Sequence, residues 1–341
     1  MTPANTASTG QDGDWRIYRG DSEPHSGLDR LPPPPPWRRF GQSGSIAGRR
    51  LGGSERAISY RANEDVVDKV NTALQLRRPL LVTGKPGTGK STLAYNIAYE
   101  LRLEPVLYWP ITSRTVLGEG LYHYDAIGRV HENSLRESIP LTEAVGTTDI
   151  GRYIRLGPLG TALLARDRPR VLLIDELDKS DIDLPNDLLN VFEEGYFSIP
   201  ELERLPDEQS AVSVMTVDGT GRVPVERGQV HCTAFPIVII TSNGEREFPP
   251  AFLRRCVRLV IEPPSEEQLA DIVKAHLGEA AAVASADLIR AFLERSSQRD
   301  LATDQLLNAI YLATSGTRPP EAKLRDLVDA IMRPLDGAGA E

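Results

Sequence analysis

The sequence predicts an α/β domain built on buried strands, followed by a small all-α domain. Three observations predict it. A short apolar run, Pro79–Thr83, leads into Gly84-Lys85-Pro86-Gly87-Thr88-Gly89-Lys90-Ser91-Thr92, and a helical pattern follows. A second apolar run, Val171–Ile174, ends in Asp175-Glu176. Past Pro263-Pro264 the periodicity is wholly helical, with apolar pairs at i, i+4 such as Leu288/Phe292 and Leu306/Ile310.

The stretch from Gly84 to Ser91 matches G-x-x-x-x-G-K-[ST] without a mismatch. Glycines at 84, 87 and 89 let the backbone curl and present N–H groups to phosphate oxygens. Lys90 brings an ammonium to the β- and γ-phosphates, and the Ser91 hydroxyl is placed to ligate Mg²⁺. Pro86, Thr88 and Thr92 complete the candidate binding loop. The motif has meaning only between strand and helix. Thr92–Leu103 supplies that helix, with Leu93, Ile97, Ala98 and Leu101 on one face. Its N-terminal N–H groups and dipole would point at the phosphates.

Length and composition bound the rest. The 341 residues suffice for one large or two ordinary domains. The net charge of −9, from 48 acidic and 39 basic residues, argues against indiscriminate nucleic-acid binding. Cys232 and Cys256 sit in or beside apolar runs and read as small core residues, with no disulfide framework. No basic-then-apolar leader opens the sequence and no apolar run approaches membrane-spanning length, so a cytoplasmic protein is the expectation.

Residues 1–55 form a Pro/Gly-rich extension, expected to be partly disordered. It holds Pro32–Pro36 followed by Trp37-Arg38-Arg39-Phe40. Five prolines favour an extended polyproline II segment. Over residues 13–42 two readings stand, a linker or a docking segment anchored by Trp15, Tyr18 and Trp37. Residues 56–262 are expected to be the α/β domain. Asn63 reads as a helix N-cap, with Val66, Val67, Val70, Ala73 and Leu74 on one face. Pro105–Ile111 reads as another strand. Two inserts are expected, at about 113–160, with hairpins rather than long helices, and at about 200–234, with a β-hairpin around Asp218–Gly221. Residues 263–341 form the helical domain, with helices over Ser265–Leu277, Ser285–Gln298, Thr303–Ala313 and Glu321–Met332.

Asp175 would help hold Mg²⁺, and Glu176 is the candidate base that orients the attacking water. Asp178, Asp181 and Asp183 read as a solvated acidic turn, or as a contact with a neighbouring subunit. The strand Phe235–Asn243 ends in a polar Asn243, able to hold the same water. Arg254 and Arg255 suit either a neighbour's γ-phosphate or salt bridges to an acidic surface.

Taken in order, Gly84–Ser91, Asp175-Glu176, Asn243 and Arg254-Arg255 resemble AAA+ ATPases over about residues 57–335. The two inserts make the chain similar to the MoxR-like group. The resemblance implies a P-loop NTPase αβα sandwich with a five-stranded parallel sheet, followed by a small all-α lid. It implies ATP and Mg²⁺ as ligands and a homo-oligomer, usually a hexameric ring. By the same resemblance Asn243 is similar to the sensor-1 residue, Arg255 matches the arginine-finger position with Arg254 as a second, and Arg299 is the choice for the lid arginine that contacts nucleotide. The activity implied is ATP hydrolysis that remodels or activates a client protein. A nucleotide-dependent switch gating a partner protein is the alternative, and a nucleic-acid motor is disfavoured by the acidic balance.

Overall fold

The computed structural model describes residues 17–30, 62–137, 149–219, 221–296, 301, 303–314 and 328–332. Helix α1 (Glu64–Leu76) opens on Asn63, whose side chain accepts from the Val66 N–H at 2.9 Å. Strand β1 (Leu80–Thr83) and helix α2 (Lys90–Glu100) flank the glycine-rich loop, and β2 (Leu107–Pro110) follows. The first insert contributes α3 (Leu117–Leu121), β3 (Tyr122–Tyr124), α4 (Ala126–Glu137), β4 (Ile154–Leu156) and α5 (Pro158–Ala162). Then come β5 (Val171–Asp175), α6 (Asp183–Glu194), β6 (Tyr196–Ser198), β7 (Ala211–Met215), β8 (Arg222–Glu226), β9 (Gln229–His231) and β10 (Ile237–Ser242). A short helix α7 (Pro250–Leu253) and β11 (Val257–Val260) close the α/β part. Helices α8 (Glu266–Leu277), α9 (Glu279–Ala284), α10 (Ala286–Ser296) and α11 (Thr303–Thr314) complete the labelled elements.

Five parallel strands form the central sheet in the order β11-β1-β10-β5-β2. Their near-continuous apolar runs fit a sheet covered on both faces, and alternate side chains divide between two clusters. Leu81, Leu107, Trp109, Leu172, Ile174, Val238 and Ile240 face α5, α6 and the inserts. Leu80, Val82, Val171, Leu173, Ile237, Ile239 and Leu259 face α1 and α2. This is the αβα sandwich, and it brings the carboxyl ends of β1, β5 and β10 to one edge. The helical domain has its own core, including Leu269, Val273, Ile289, Phe292, Leu306 and Ile310. Its first helix carries a capping box, Ser265 with Gln268. The segment 278–284, unassigned from the sequence, adds the short helix α9, and residues 315–327 lie outside the described residues.

The two inserts, with β6 just ahead of the second, join in one second sheet of six strands, β3-β4-β7-β8-β9-β6, through a parallel contact between Arg155 of β4 and Met215 of β7. The hairpin β7–β8 forms as expected, with Met215 opposite Arg222. The first insert differs from its expectation, since α4 is a 12-residue helix rather than part of a hairpin. Asp125 starts it: its side chain accepts from the Gly128 N–H at 2.8 Å. Gly128 lies in the first turn of α4, where the Asp125 cap fixes the backbone. Asp218, read as a turn residue, anchors the hairpin tip to the body. Its carboxylate meets the buried Arg170 at 2.7 Å, and Glu104 meets both Arg170 and Arg166.

The amino-terminal segment is docked on the chain's own body over residues 17–30, the second of the two readings for this region. Tyr18 is fully buried. Asn71 of α1 accepts from the Ile17 and Tyr18 N–H groups and donates to the carbonyls of Tyr18 and Val67, both at 2.8 Å. On α2, Asn96 accepts from the Tyr18 hydroxyl, and Glu100 accepts from the Arg19 and Gly20 N–H groups and lies 3.1 Å from His25 Nε2. Burial pushes the Glu100 carboxyl up, against the pull of those hydrogen bonds. Trp15, Trp37 and Pro32–Phe40 lie outside the described residues.

Asn71 satisfies two buried N–H groups at once, so Asn71→Ala strips both of their acceptor. A loss of about 1–3 kcal/mol in urea unfolding is expected, with residues 17–30 becoming sensitive to limited proteolysis. An unchanged midpoint and cleavage pattern would show that Asn71 does not hold the segment.

Candidate active site

The loop between β1 and α2 is shaped by glycine. Gly84 has φ +154°, and a Cβ there would stand 2.4 Å from the Ile261 carbonyl oxygen. Gly89, the residue before α2, is left-handed at φ +87°. Both demand glycine for a steric reason. Lys90 begins α2 and folds back, its ammonium donating to the carbonyls of Gly84 at 2.8 Å and Lys85 at 2.7 Å. Burial draws the Lys90 pKa down, and the carboxylates of Asp178, Glu176 and Asp175 oppose that shift.

Strand β5 delivers Asp175 opposite this loop. Asp175 Oδ1 accepts from the Ser91 hydroxyl at 2.6 Å and from the Thr241 hydroxyl at 2.7 Å. Thr241 sits near the end of β10 and also accepts from the Glu176 N–H at 2.8 Å. The Tyr108 hydroxyl lies 3.3 Å from Asp175 Oδ2. Burial raises the Tyr108 pKa first, with the Asp175 charge adding to it. Asn243, just past β10, directs Nδ2 at Glu176 Oε1 at 3.4 Å, and Lys179 Nζ pairs with Glu176 Oε2 at 2.6 Å. Glu176 has φ +61° and ψ +50°, a left-handed conformation uncommon for a non-glycine residue.

Two cavities adjoin the loop. One of about 320 Å³ is lined by Pro86, Gly87, Lys90, Ser91, Asp175, Glu176 and Asn243, among others. A larger cleft of about 780 Å³ lies between the loop, α1 and the helical domain, with Asn63, Thr88, Thr92, Ile261, Gln268 and Thr303 in its walls. Gly87, Gly89 and Thr92 border both. The Ser91 hydroxyl and Asp175 carboxylate are hard oxygen donors facing the smaller cavity. That set suits Mg²⁺, which takes one or two protein oxygens and completes its shell from phosphate and water.

A family model described as AAA domain (dynein-related subfamily) matches residues 79–256, more than half of the 341-residue chain. The chain belongs to the AAA family. The AAA match spans the phosphate loop, the Asp175-Glu176 strand, Asn243 and the arginine pair. The amino-terminal segment and the helices after Pro263 lie beyond it.

The structure of this AAA protein brings together Gly84–Thr92, Asp175, Glu176 and Asn243 at one edge of the sheet. Arg254 and Arg255 are not there. Val257 pairs with Leu80 at the start of β1, whereas the loop follows Thr83, so a strand length of roughly 10 Å separates them. Arg255 Nε meets Glu193 at 2.8 Å, with both side chains about 40 % exposed, and the Arg254 side chain is exposed. Arg299 lies outside the described residues. One expectation is corrected. Asp178 is not in a solvated turn but buried at 3 % exposure, whereas Asp181 and Asp183 are exposed. The short helical turn Leu177–Lys179 reverses the chain after Glu176 and points Asp178 inward. Sequence reasoning also passed over Thr241, Tyr108 and Lys179. The signal for Thr241 was the polar end, Thr241-Ser242-Asn243, of an otherwise apolar strand.

Thr241→Val tests the hydroxyl bridge, because it keeps the shape while removing the group shared by Asp175 and Glu176. The part-buried Glu176 N–H then lacks its acceptor, and a loss of about 1 kcal/mol is expected in chemical denaturation. Wild-type stability would mean that the bridge contributes nothing.

Proposed function

We propose that this AAA protein binds Mg-ATP and hydrolyses it to ADP and phosphate, working as a MoxR-like homo-oligomeric ring, six-membered by family resemblance, that remodels or activates a protein partner. The observation that carries this reading is the hydrogen-bond chain Ser91–Asp175–Thr241–Glu176–Asn243 beside the phosphate loop. It supplies a hydroxyl and a carboxylate for the metal, a second carboxylate for the water, and an amide to orient that water. The joined inserts support the MoxR-like subgroup, because both of its distinguishing segments contribute to one sheet.

In this reading the nucleoside occupies the cleft of about 780 Å³ and the phosphates turn around Gly87 and Gly89 into the smaller cavity. Lys90 exchanges its two loop carbonyls for phosphate oxygens, so its desolvation is offset by a stronger partner. Ser91, and Asp175 through a water, would hold Mg²⁺, whose positive charge would be supplied to the phosphate oxygens. Glu176 accepts a proton from the attacking water, and Asn243 holds that water from the other side. Stabilisation of the transferring phosphoryl group is mainly electrostatic. Arg255 completes it from a neighbouring copy, with Arg254 as a second contact. Its place at the strand end opposite the phosphate loop and its half-exposed side chain support a role between subunits. A nucleotide-dependent switch that gates a partner is favoured by one observation, the Lys179 ion pair that occupies Glu176. Faster turnover on adding the partner supports the motor, and unchanged slow turnover supports the switch.

Two variants test the reading. Glu176→Gln is expected to bind Mg-ATP but not turn it over, measured by phosphate release and by the nucleotide retained after desalting. Normal hydrolysis would remove Glu176 as the base. Arg255→Ala is expected to lose about 10³–10⁵ in turnover while ATP binding stays near wild type. Near wild-type turnover would remove Arg255 as the group that completes the site.

A further inference from the structure

Asp178 belongs to none of the roles above, yet it is the most enclosed carboxylate beside the site. It is 3 % exposed. Its Oδ2 accepts from the Asn243 N–H at 2.8 Å and from the Glu245 N–H at 3.0 Å. Its Oδ1 is buried with no hydrogen-bond partner among the described residues. Burying a carboxylate in this state is costly, and a plain turn does not require it. What the carboxylate joins is specific. One partner segment follows Glu176 directly, and the other begins with Asn243. Asp178 therefore fastens the end of β5 to the turn after β10 at the two residues that would flank the attacking water.

We infer that Asp178 is a positioning residue for hydrolysis, acting through Asn243 by fixing its backbone against Glu176. The inference rests on the proposed ATPase reading and deepens it. The Asn243–Glu176 contact is long, at 3.4 Å, and Asn243 has a short side chain. Its amide reaches the water only if its backbone is held. A carboxylate that accepts both N–H groups of the turn sets that position without touching nucleotide. The Lys90 ammonium also feels the Asp178 charge, so the same group leaves a negative field behind the phosphate loop.

The test is a double-mutant cycle read by kcat, KM and binding of a fluorescent ATP analogue. Asp178→Ala is expected to lower kcat by roughly 10- to 100-fold, because misplacement by about an ångström has that cost, with KM and analogue affinity within about twofold of wild type. Asp178→Asn keeps an acceptor oxygen for both N–H groups and is expected to recover most of kcat, and it serves where the alanine variant folds poorly. Asn243→Ala combined with Asp178→Ala is expected to be no slower than Asn243→Ala alone, because one residue acts through the other. Multiplying losses, or a fall in analogue affinity that matches the fall in kcat, would overturn the positioning role. A wild-type protein that binds the analogue without turning over Mg-ATP would overturn the hydrolysis reading and this inference with it. Wild-type turnover with multiplying losses overturns this inference alone.

Discussion

One carboxylate oxygen accepts hydrogen bonds from two hydroxyls, one on a helix and one on a strand. Asp175 Oδ1 takes Ser91, at the start of the helix after β1, and Thr241, near the end of β10. For both to reach it, β1, β10 and β5 must be parallel, adjacent and in register, and the loop after β1 must be tight enough to bring Ser91 back over the sheet. The register meets this demand, with Val82 beside Thr241 and Ile240 beside Ile174. The buried faces of the strands then hold it, since a one-residue slip would move every apolar side chain to the wrong layer. The same shared oxygen explains why Glu176 stands where it does. Thr241 also takes the Glu176 N–H, at the residue where the chain turns left-handed away from the strand.

Much of this arrangement was legible in the sequence. The loop glycines, Lys90 and Ser91 are tied to local geometry, and the apolar runs before Gly84 and Asp175 have the length and composition of buried strands. Asn63 was readable as a cap because a capping side chain bonds within three residues of itself. What was illegible depended on partners far away in the chain. Asp178 looks like a surface residue among Asp181 and Asp183, and only its contact with Asn243, sixty-five residues on, reveals it as buried. Tyr108 has meaning only beside Asp175 in the neighbouring strand. The joining of two separate inserts into one sheet rests on strand pairing across some sixty residues, from Arg155 to Met215. Helix α4 was missed for a local reason. The Asp125 side chain caps its first turn at the Gly128 N–H, and a helix start of that kind was not weighed against the hairpins expected for the insert.

The amino-terminal segment connects to the same geometry. Helix α2 presents Lys90 and Ser91 at its first turn and Asn96 and Glu100 at its far end, where they hold Tyr18, Arg19 and Gly20. One rigid helix therefore carries the phosphate loop at one end and the docked segment at the other. Asn71 fixes that segment from α1, which also lines the larger cleft through Asn63, Asp65, Val66 and Lys69. Residues 17–30 thus brace two of the elements that frame the proposed nucleotide site.

Within one copy, the arginine pair and the phosphate loop lie at opposite ends of the neighbouring strands β11 and β1, and the proposed site is complete only if a second copy brings its arginine pair to the loop. The most direct test is the solution mass of Glu176→Gln, measured by sedimentation with and without Mg-ATP. The account predicts that the nucleotide drives assembly to a closed oligomer, and that Arg255→Ala in the same background weakens that assembly. A protein that binds ATP and stays a monomer would contradict it, because Arg255 would then have no phosphate to meet.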